Sequence, residues 1–348
     1  MPTSKPTESK AHILVIGAGV IGLQTALSLL LTDRYTITIL AEHLPSDRAP
    51  LYTSPWAGAH WRTHALPNSA DAEQRDWDTR SYNEWMHLLD NEPKEASAAG
   101  LGRYTSHYVW SPTTASTTPE FTTKNDPASV WWASKVRDFS ILPVEQLPSG
   151  ASCGVEWQSV TIDPERYLTW LLARVLRLGG RVVKDKADGW GEAVKFAEVA
   201  GEVAAVVNAT GLGAMEIAGD ETMFPIRGQT LLVRGQAQRV RTWVGEWGIG
   251  YVLPREVAEV SVLGGSKEVG SWNQEAEDDL TATILERGKL LAPELVRDDG
   301  EIEVLATQVG FRPGREGGPR VEIEELKKNG AKGETLTVLH CYGHSGAG

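Results

Sequence analysis

Residues Ala11–Ile16 (AHILVI) form a short apolar run rich in β-branched side chains, and three glycines follow it at once: Gly17, Gly19 and Gly22, spaced G-x-G-x-x-G. The run reads as a buried parallel strand. The apolar stretch Val20–Leu31 then reads as a helix, and Tyr35–Leu40 as a second strand ending at Glu42. Strand, glycine turn, helix, strand and acid in this register define a Rossmann-type dinucleotide unit. The glycines permit a tight turn and close backbone approach to a pyrophosphate, and the helix N-terminus offers free N–H groups and a positive dipole end. Glu42, 20 residues after Gly22, stands where an acid accepts from a ribose hydroxyl. This segment alone does not choose between NAD and FAD.

The chain has 348 residues, 41% hydrophobic and 23% charged, which suits about two domains of ~150 residues each. No window approaches the ~18 consecutive apolar residues of a membrane span, and residues 1–10 read as a polar disordered lead-in without an apolar signal core. A net charge of −12 repels phosphate backbones, so nucleic acid is not an expected partner. Cys153 and Cys341 are not paired in a CxxC motif and no Cys/His cluster has zinc spacing, so no metal is expected. The Thr/Ser/Pro stretch Ser111–Pro119 reads as a loop.

Three further segments favour FAD. Val203–Gly213 (VAAVVNATGLG) is a strand running into a glycine turn at Thr210 and Gly211. Ser54–Arg62 (SPWAGAHWR) sets small residues beside Trp and Arg, which suits backbone packed against a flat ring. Thr335–His340 reads as a strand that leads into the glycine-rich Cys341–Gly348. With PIRGQ, GYVLPRE, VLGGSKEVGSWN and VGFRPGREGGPRVE in this order, residues 11–348 resemble the D-amino-acid oxidase family, which includes D-aspartate oxidases; the likeness is to its fungal members. The fold class implied is α/β plus α+β: a Rossmann-type FAD-binding domain interleaved with an antiparallel-sheet substrate domain. Members normally continue past a loop like HCYGHSGAG into one more helix, and a peroxisomal address would lie beyond it. The sequence stops at Gly348, so either it is truncated or the chain lacks part of its flavin site. The compartment is peroxisomal by resemblance and cytoplasmic otherwise, and a homodimer is admitted.

The resemblance assigns FAD contacts to Gly17, Gly19, Val20, Ile21, Gly22 and Glu42 in the first unit, and to Ser54, Ala57 and Gly58 in the SPWAGA turn. It adds Val182, whose backbone would meet adenine, Thr210 and Gly211 in the second glycine turn, and Gly343, Ser345, Gly346 and Gly348 at the end. A D-amino acid needs a cation for its carboxylate, ideally a guanidinium. Arg312 in GFRPG, after an expected strand Ile302–Val309, matches the family's carboxylate arginine. Tyr251 matches the tyrosine that helps hold the carboxylate, and the Gly346 carbonyl the acceptor of the amine. Trp247 stands at the lid position. Lys267 matches the place where D-aspartate oxidases carry an arginine and oxidases of neutral substrates carry an uncharged residue, so acidic substrates are slightly favoured over neutral ones; the competing reading pairs Lys267 with Glu268 on the surface. His60 and Arg62 follow the SPWAGA turn and could face the pocket, with flavin-side packing or surface the favoured reading; His344 reads as part of the flavin loop, and Arg315 and Arg320 as structural or solvated.

The expected domains are 11–89, 152–219 and 308–348 for FAD, and 90–151 and 220–307 for substrate. Pro164–Leu178 reads as an amphipathic helix leading to a strand near Arg181–Val183, and Gln229–Arg234 and Gly250–Pro254 as strands of the antiparallel sheet. The expected reaction takes hydride from Cα to flavin N5, with D-amino acid, oxygen and water giving 2-oxo acid, ammonia and hydrogen peroxide. The competing readings are an NAD-dependent dehydrogenase, an oxidase of glycine or sarcosine, and a flavin-fold protein without activity.

Overall fold

The computed structural model describes residues 10–246, 248–256, 258–327 and 335–347. The first sheet runs Arg320–Lys327, Thr335–Tyr342, Val203–Asn208, Ala11–Ile16, Tyr35–Ala41, Arg181–Lys184. Its pairs are parallel except for the hairpin Arg320–Lys327 with Thr335–Tyr342. Side-chain alternation splits the first strand between two cores. Ile13 and Val15 pack with the helices Val20–Leu31 and Pro164–Arg177, while Leu14 and Ile16 pack with the helix Trp190–Glu198 on the other face. Apolar residues on both faces explain the unbroken hydrophobic run in the sequence. Ile16 pairs with both Leu40 and Asn208, and Asn208 with His340, so three strand ends reach one level beside the glycine turn. That level is where an open α/β sheet binds its ligand.

The second sheet has nine strands. Eight run Glu268–Val269, Met223–Arg234, Val260–Gly264, Gly248–Arg255, Val240–Gly245, Leu101–Trp110, Cys153–Ile162, Arg137–Ile141, and Val304–Arg315 joins at Met223–Arg234. All pairs are antiparallel except Leu101–Trp110 with Val240–Gly245. The helix Asp278–Leu291 covers one side through Ile284 and Leu291.

Four expectations are corrected. Cys153–Ile162 pairs along its whole length with Leu101–Trp110, so residues 152–162 join the second sheet and not the FAD unit. Val304–Arg315 pairs with Met223–Arg234 down to Arg315, so the strand is longer than Ile302–Val309, and Arg312 lies within it rather than after it. The helix Ala72–Asn91 packs on the strands Leu101–Trp110 and Cys153–Ile162 of the second sheet, and meets the FAD unit through Trp85, whose Nε1 donates to the Tyr167 hydroxyl at 3.2 Å. Within the expected loop Ser111–Pro119, Pro112–Thr117 is a helix. Pro112 stands at its first turn, the Ser111 hydroxyl accepts from the Thr114 N–H, and Thr114 Oγ1 donates to the Val244 carbonyl at 2.6 Å.

No helix among the described residues is long and apolar enough to cross a membrane.

Candidate active site

A cavity of about 1000 Å³ runs from the ends of the first sheet to the face of the second. At its first end, Gly17 has φ +107°, and a Cβ there would lie 2.4 Å from the Ala209 carbonyl oxygen. The strand end and the Asn208–Thr210 turn therefore meet backbone to backbone. Gly19, Val20 and Ile21 line the cavity, and the Val20 N–H donates to Ser54 Oγ at 3.0 Å. Gly22 does not line it. A Cβ on Gly22 would fall 2.0 Å from the Gly17 carbonyl oxygen, so this glycine seats the helix on the turn. Glu42 lines the cavity, half-exposed, 3.9 Å from Lys186 Nζ. Val182, paired with Ile39 on the edge strand, does not line the cavity; the following segment, Asp185 to Asp188, lines it instead.

The middle is built by two turns. Ser54–Trp56 forms one tight helical turn, with Ala57 and Gly58 beyond it. The buried Arg255 donates to the Gly58 and Ala57 carbonyls at 3.0 and 3.3 Å and clamps this turn to the second sheet. Thr210 and Gly211 line the cavity opposite, the Thr210 hydroxyl donating to Asn208 Oδ1 at 2.8 Å. Gly343, Ser345 and Gly346 complete it. Trp247 and Gly348 lie outside the described residues.

At the far end, Arg312 sits between two tethered carbonyls: Thr53 Oγ1 donates to Phe311 O at 2.6 Å, and the Ser345 N–H donates to Pro313 O at 2.9 Å. Its guanidinium lies over Gly228, where a Cβ would be 2.5 Å from Nη1, and donates to the Ser266 carbonyl at 3.3 Å. A Cβ on Gly346 would sit 3.6 Å from both Arg312 Cδ and His64 Nε2. Tyr251 stands across from Gly264, and only a residue without a side chain leaves room for its ring there: a Cβ would fall 2.1 Å from Cζ. Lys267, exposed, follows Ser266, whose hydroxyl accepts from the Gln229 N–H at 2.9 Å. Glu268 is not its partner, since that carboxylate takes Arg227 Nη1 at 2.6 Å. Among the described residues no carboxylate pairs with Arg312 or Lys267, whereas Arg315 is paired with Asp220, and Arg320 with Glu322 and Glu324.

On the segment after the SPWAGA turn, sequence reasoning admitted His60 and Arg62 to the pocket without favouring them, and it missed His64. His60, Arg62 and His64 line the cavity, while Trp61, Thr63 and Ala65 are buried behind them. That alternation, HWRTHA, is the available signal. Burial and then the Arg62 charge push His60 down to about 3. His64 lines the cavity with its side chain exposed; the protein packed around it, then Arg62, Lys267 and Arg312, lower it too, and the exposure weakens that shift. Burial lowers His344 to about 4. All three shifts favour the neutral imidazole.

The folded pKa values lie below the ordinary 6.5, so their contribution to stability is fully present above pH ~6.5 and is lost as pH falls toward 4 and 3. Each imidazole costs up to about 1.4 kcal/mol per pH unit in that window. Asp78, raised to about 6 by burial, acts in the opposite sense. The substrate-free protein is expected to lose roughly 2 kcal/mol between pH 6.5 and 5, from His60 and His344 less the gain at Asp78 and leaving out the exposed His64, read by urea melts at each pH. Stability flat across that interval contradicts the assignment.

The set fits FAD: a phosphate-binding helix start with backbone contact on both sides, an acid at the ribose end, and small residues along the middle of a cavity at the upper end of usual ligand-site volumes, about 1,000 Å³. Residues 12–348 match the family described as FAD dependent oxidoreductase. A D-amino-acid oxidase of Fusarium vanettenii is 30% identical over 345 residues, covering 97% of this chain and 92% of the relative. One of Rubrobacter xylanophilus is 32% identical over 343 residues (97% and 91%), and a D-aspartate oxidase of Talaromyces thermophilus is 29% identical over 361 (97% and 90%). The crystal structure of glycine oxidase from Geobacillus kaustophilus shares the fold, with a TM-score of 0.68 at 15% identity over 97% of this chain and 91% of that one. The chain is thus an FAD-dependent amino-acid-oxidising enzyme and belongs to the family of FAD-dependent oxidoreductases that includes these D-amino-acid and D-aspartate oxidases.

Proposed function

We propose that this enzyme oxidises free D-amino acids, with acidic side chains preferred, giving the 2-oxo acid, ammonia and hydrogen peroxide from substrate, oxygen and water. The observation that carries the reading is the far end of the cavity, where Arg312 and Lys267 face a common space without carboxylate partners among the described residues. Arg312 binds the α-carboxylate through its planar fork. Tyr251, held against Gly264, donates its hydroxyl to the same carboxylate. The Gly346 carbonyl, beside Arg312, accepts from the amine, and Lys267 meets a side-chain carboxylate. Bound FAD supplies the two-electron acceptor for the Cα hydride and passes the electrons to oxygen. No protein base is required at Cα, consistent with His60 being depressed far below the working pH. The peroxisome is the proposed compartment, on the family resemblance.

Tyr251→Phe removes one hydrogen bond to a charged group and is expected to lower kcat/KM by about 10- to 100-fold, mostly through KM, in steady-state assays. An unchanged KM contradicts its role.

The test is peroxide release from D-aspartate, D-glutamate, D-alanine and their L-enantiomers by the flavin-loaded enzyme. D-aspartate or D-glutamate is expected to be fastest and the L-forms inert. Faster D-alanine overturns the acidic preference and leaves D-amino-acid oxidation standing. Oxidation of L-forms, or of none of the six, overturns the reading itself.

A further inference from the structure

Arg62 is a half-buried cation on the wall of the same cavity, and its backbone is fixed on both sides. The Trp61 N–H donates to Val160 O at 2.8 Å and Ser159 Oγ to Trp61 O at 3.0 Å. Thr63 Oγ1 donates to Asp78 Oδ2 at 2.6 Å. With Trp61 and Thr63 buried on one face, Arg62 must point to the other, into the cavity.

Its guanidinium is aimed, and Glu120 compensates its charge from a distance without a direct ion pair. Nη1 donates to the Tyr108 hydroxyl at 3.1 Å, and Cζ stands 4.9 Å over the Tyr108 ring. The Tyr108 hydroxyl in turn donates to Glu120 Oε1 at 3.1 Å. Glu120 therefore acts on Arg62 through the tyrosine, from a second layer. Arg62 Nε is buried without a hydrogen-bond partner, and among the described residues no carboxylate lies within ion-pair distance of the guanidinium. A cation with a buried open donor is costly to maintain unless an anion completes it. Arg312 already has Tyr251 and Gly346 around it for an α-carboxylate, so the anion that Arg62 lacks is a second one.

We propose that Arg62, oriented by Tyr108 and Glu120, is a specificity-determining residue that binds the side-chain carboxylate of a dicarboxylic D-amino acid together with Lys267. This rests on the oxidase reading above and deepens it. Arg62 supplies the rigid, water-poor half of the subsite and Lys267 the exposed half. A guanidinium held by its own tyrosine loses little side-chain freedom when the anion arrives, so its share of the discrimination exceeds that of the lysine.

The test compares flavin-loaded wild type, R62Q, R62K and K267M by the ratio of kcat/KM for D-aspartate to that for D-alanine. R62Q is expected to lower this ratio at least 30-fold, R62K less than about fivefold, and K267M by an intermediate amount. A merely structural arginine would lower both substrates together, so a ratio within threefold of wild type in R62Q overturns the proposal. Binding of succinate and propionate, read as perturbation of the flavin absorption band, does not depend on turnover. It separates failure of this proposal from failure of the oxidase reading. R62Q is expected to lose at least tenfold of the wild-type preference for succinate, and an intact preference overturns the proposal. If R62Q does not retain flavin, K267M decides: a remaining succinate preference of at least tenfold supports Arg62, and its complete loss in K267M overturns the assignment.

Discussion

Arg312→Leu is expected to lower kcat/KM for every D-amino acid by about 10²–10⁴-fold, the effect of removing one partner of a hydrogen-bonded ion pair in a shielded site, ~3–5 kcal/mol. Flavin content should hold, because the arginine's tethers run through neighbouring backbone: Thr53 to Phe311 O and Ser345 to Pro313 O survive the substitution. The space left over Gly228 is lined by backbone and is open to the cavity, which limits the structural cost. Arg312→Lys is expected to recover part of the loss, since a point charge remains but the planar fork does not. The measurement is steady-state kinetics on enzyme whose visible spectrum matches wild type. A variant with full flavin and less than tenfold loss places the carboxylate elsewhere.

Gly22→Val is expected to abolish flavin retention and to lower stability by about 3 kcal/mol or more, although Gly22 does not line the cavity. Its Cβ would fall 2.0 Å from the Gly17 carbonyl oxygen. The clash is with backbone, and Gly17 is itself pressed against Ala209 at φ +107°. Neither side can yield without moving the first strand away from the Asn208–Thr210 turn, where the Ala209 N–H donates to Ile16 O at 2.9 Å. The protein should purify colourless with a lowered Tm, and added FAD should not restore the visible band. Gly343→Ala, by contrast, meets side-chain carbons of Arg315 at 2.9 Å and is expected to be milder in stability, although its φ of +80° is strained for alanine.

The first unit was legible because its signals are local: an apolar run, three glycines, a helix and an acid within 32 residues, Ala11 to Glu42. The placement of Cys153–Ile162 was not legible, because its partner Leu101–Trp110 lies about 50 residues earlier and nothing local names it. Arg312 was found as a residue but misplaced on its strand, since Pro313 and Gly314 read as a break. In the fold they continue the pairing with Pro225 and Phe224, at the end of a strand that tolerates proline. Ser111–Pro119 was read from composition, and the cap that makes it helical, Ser111 with Pro112, was present but outweighed. A pocket-facing Arg62 was admitted by the sequence but not favoured, since nothing local orients it and its segment forms no regular strand. A single bridge, His60 with Thr161, sets its alternation, and the tyrosine that aims it is 46 residues away.

The central claim, that Arg312, Tyr251 and Lys267 present a D-amino acid to bound FAD, is tested most directly by the visible spectrum of the flavin-loaded protein without oxygen. Adding D-aspartate or D-alanine is predicted to bleach the flavin band, D-aspartate faster, with no change on adding the L-enantiomers. A flavin band that neither D-amino acid bleaches contradicts the account.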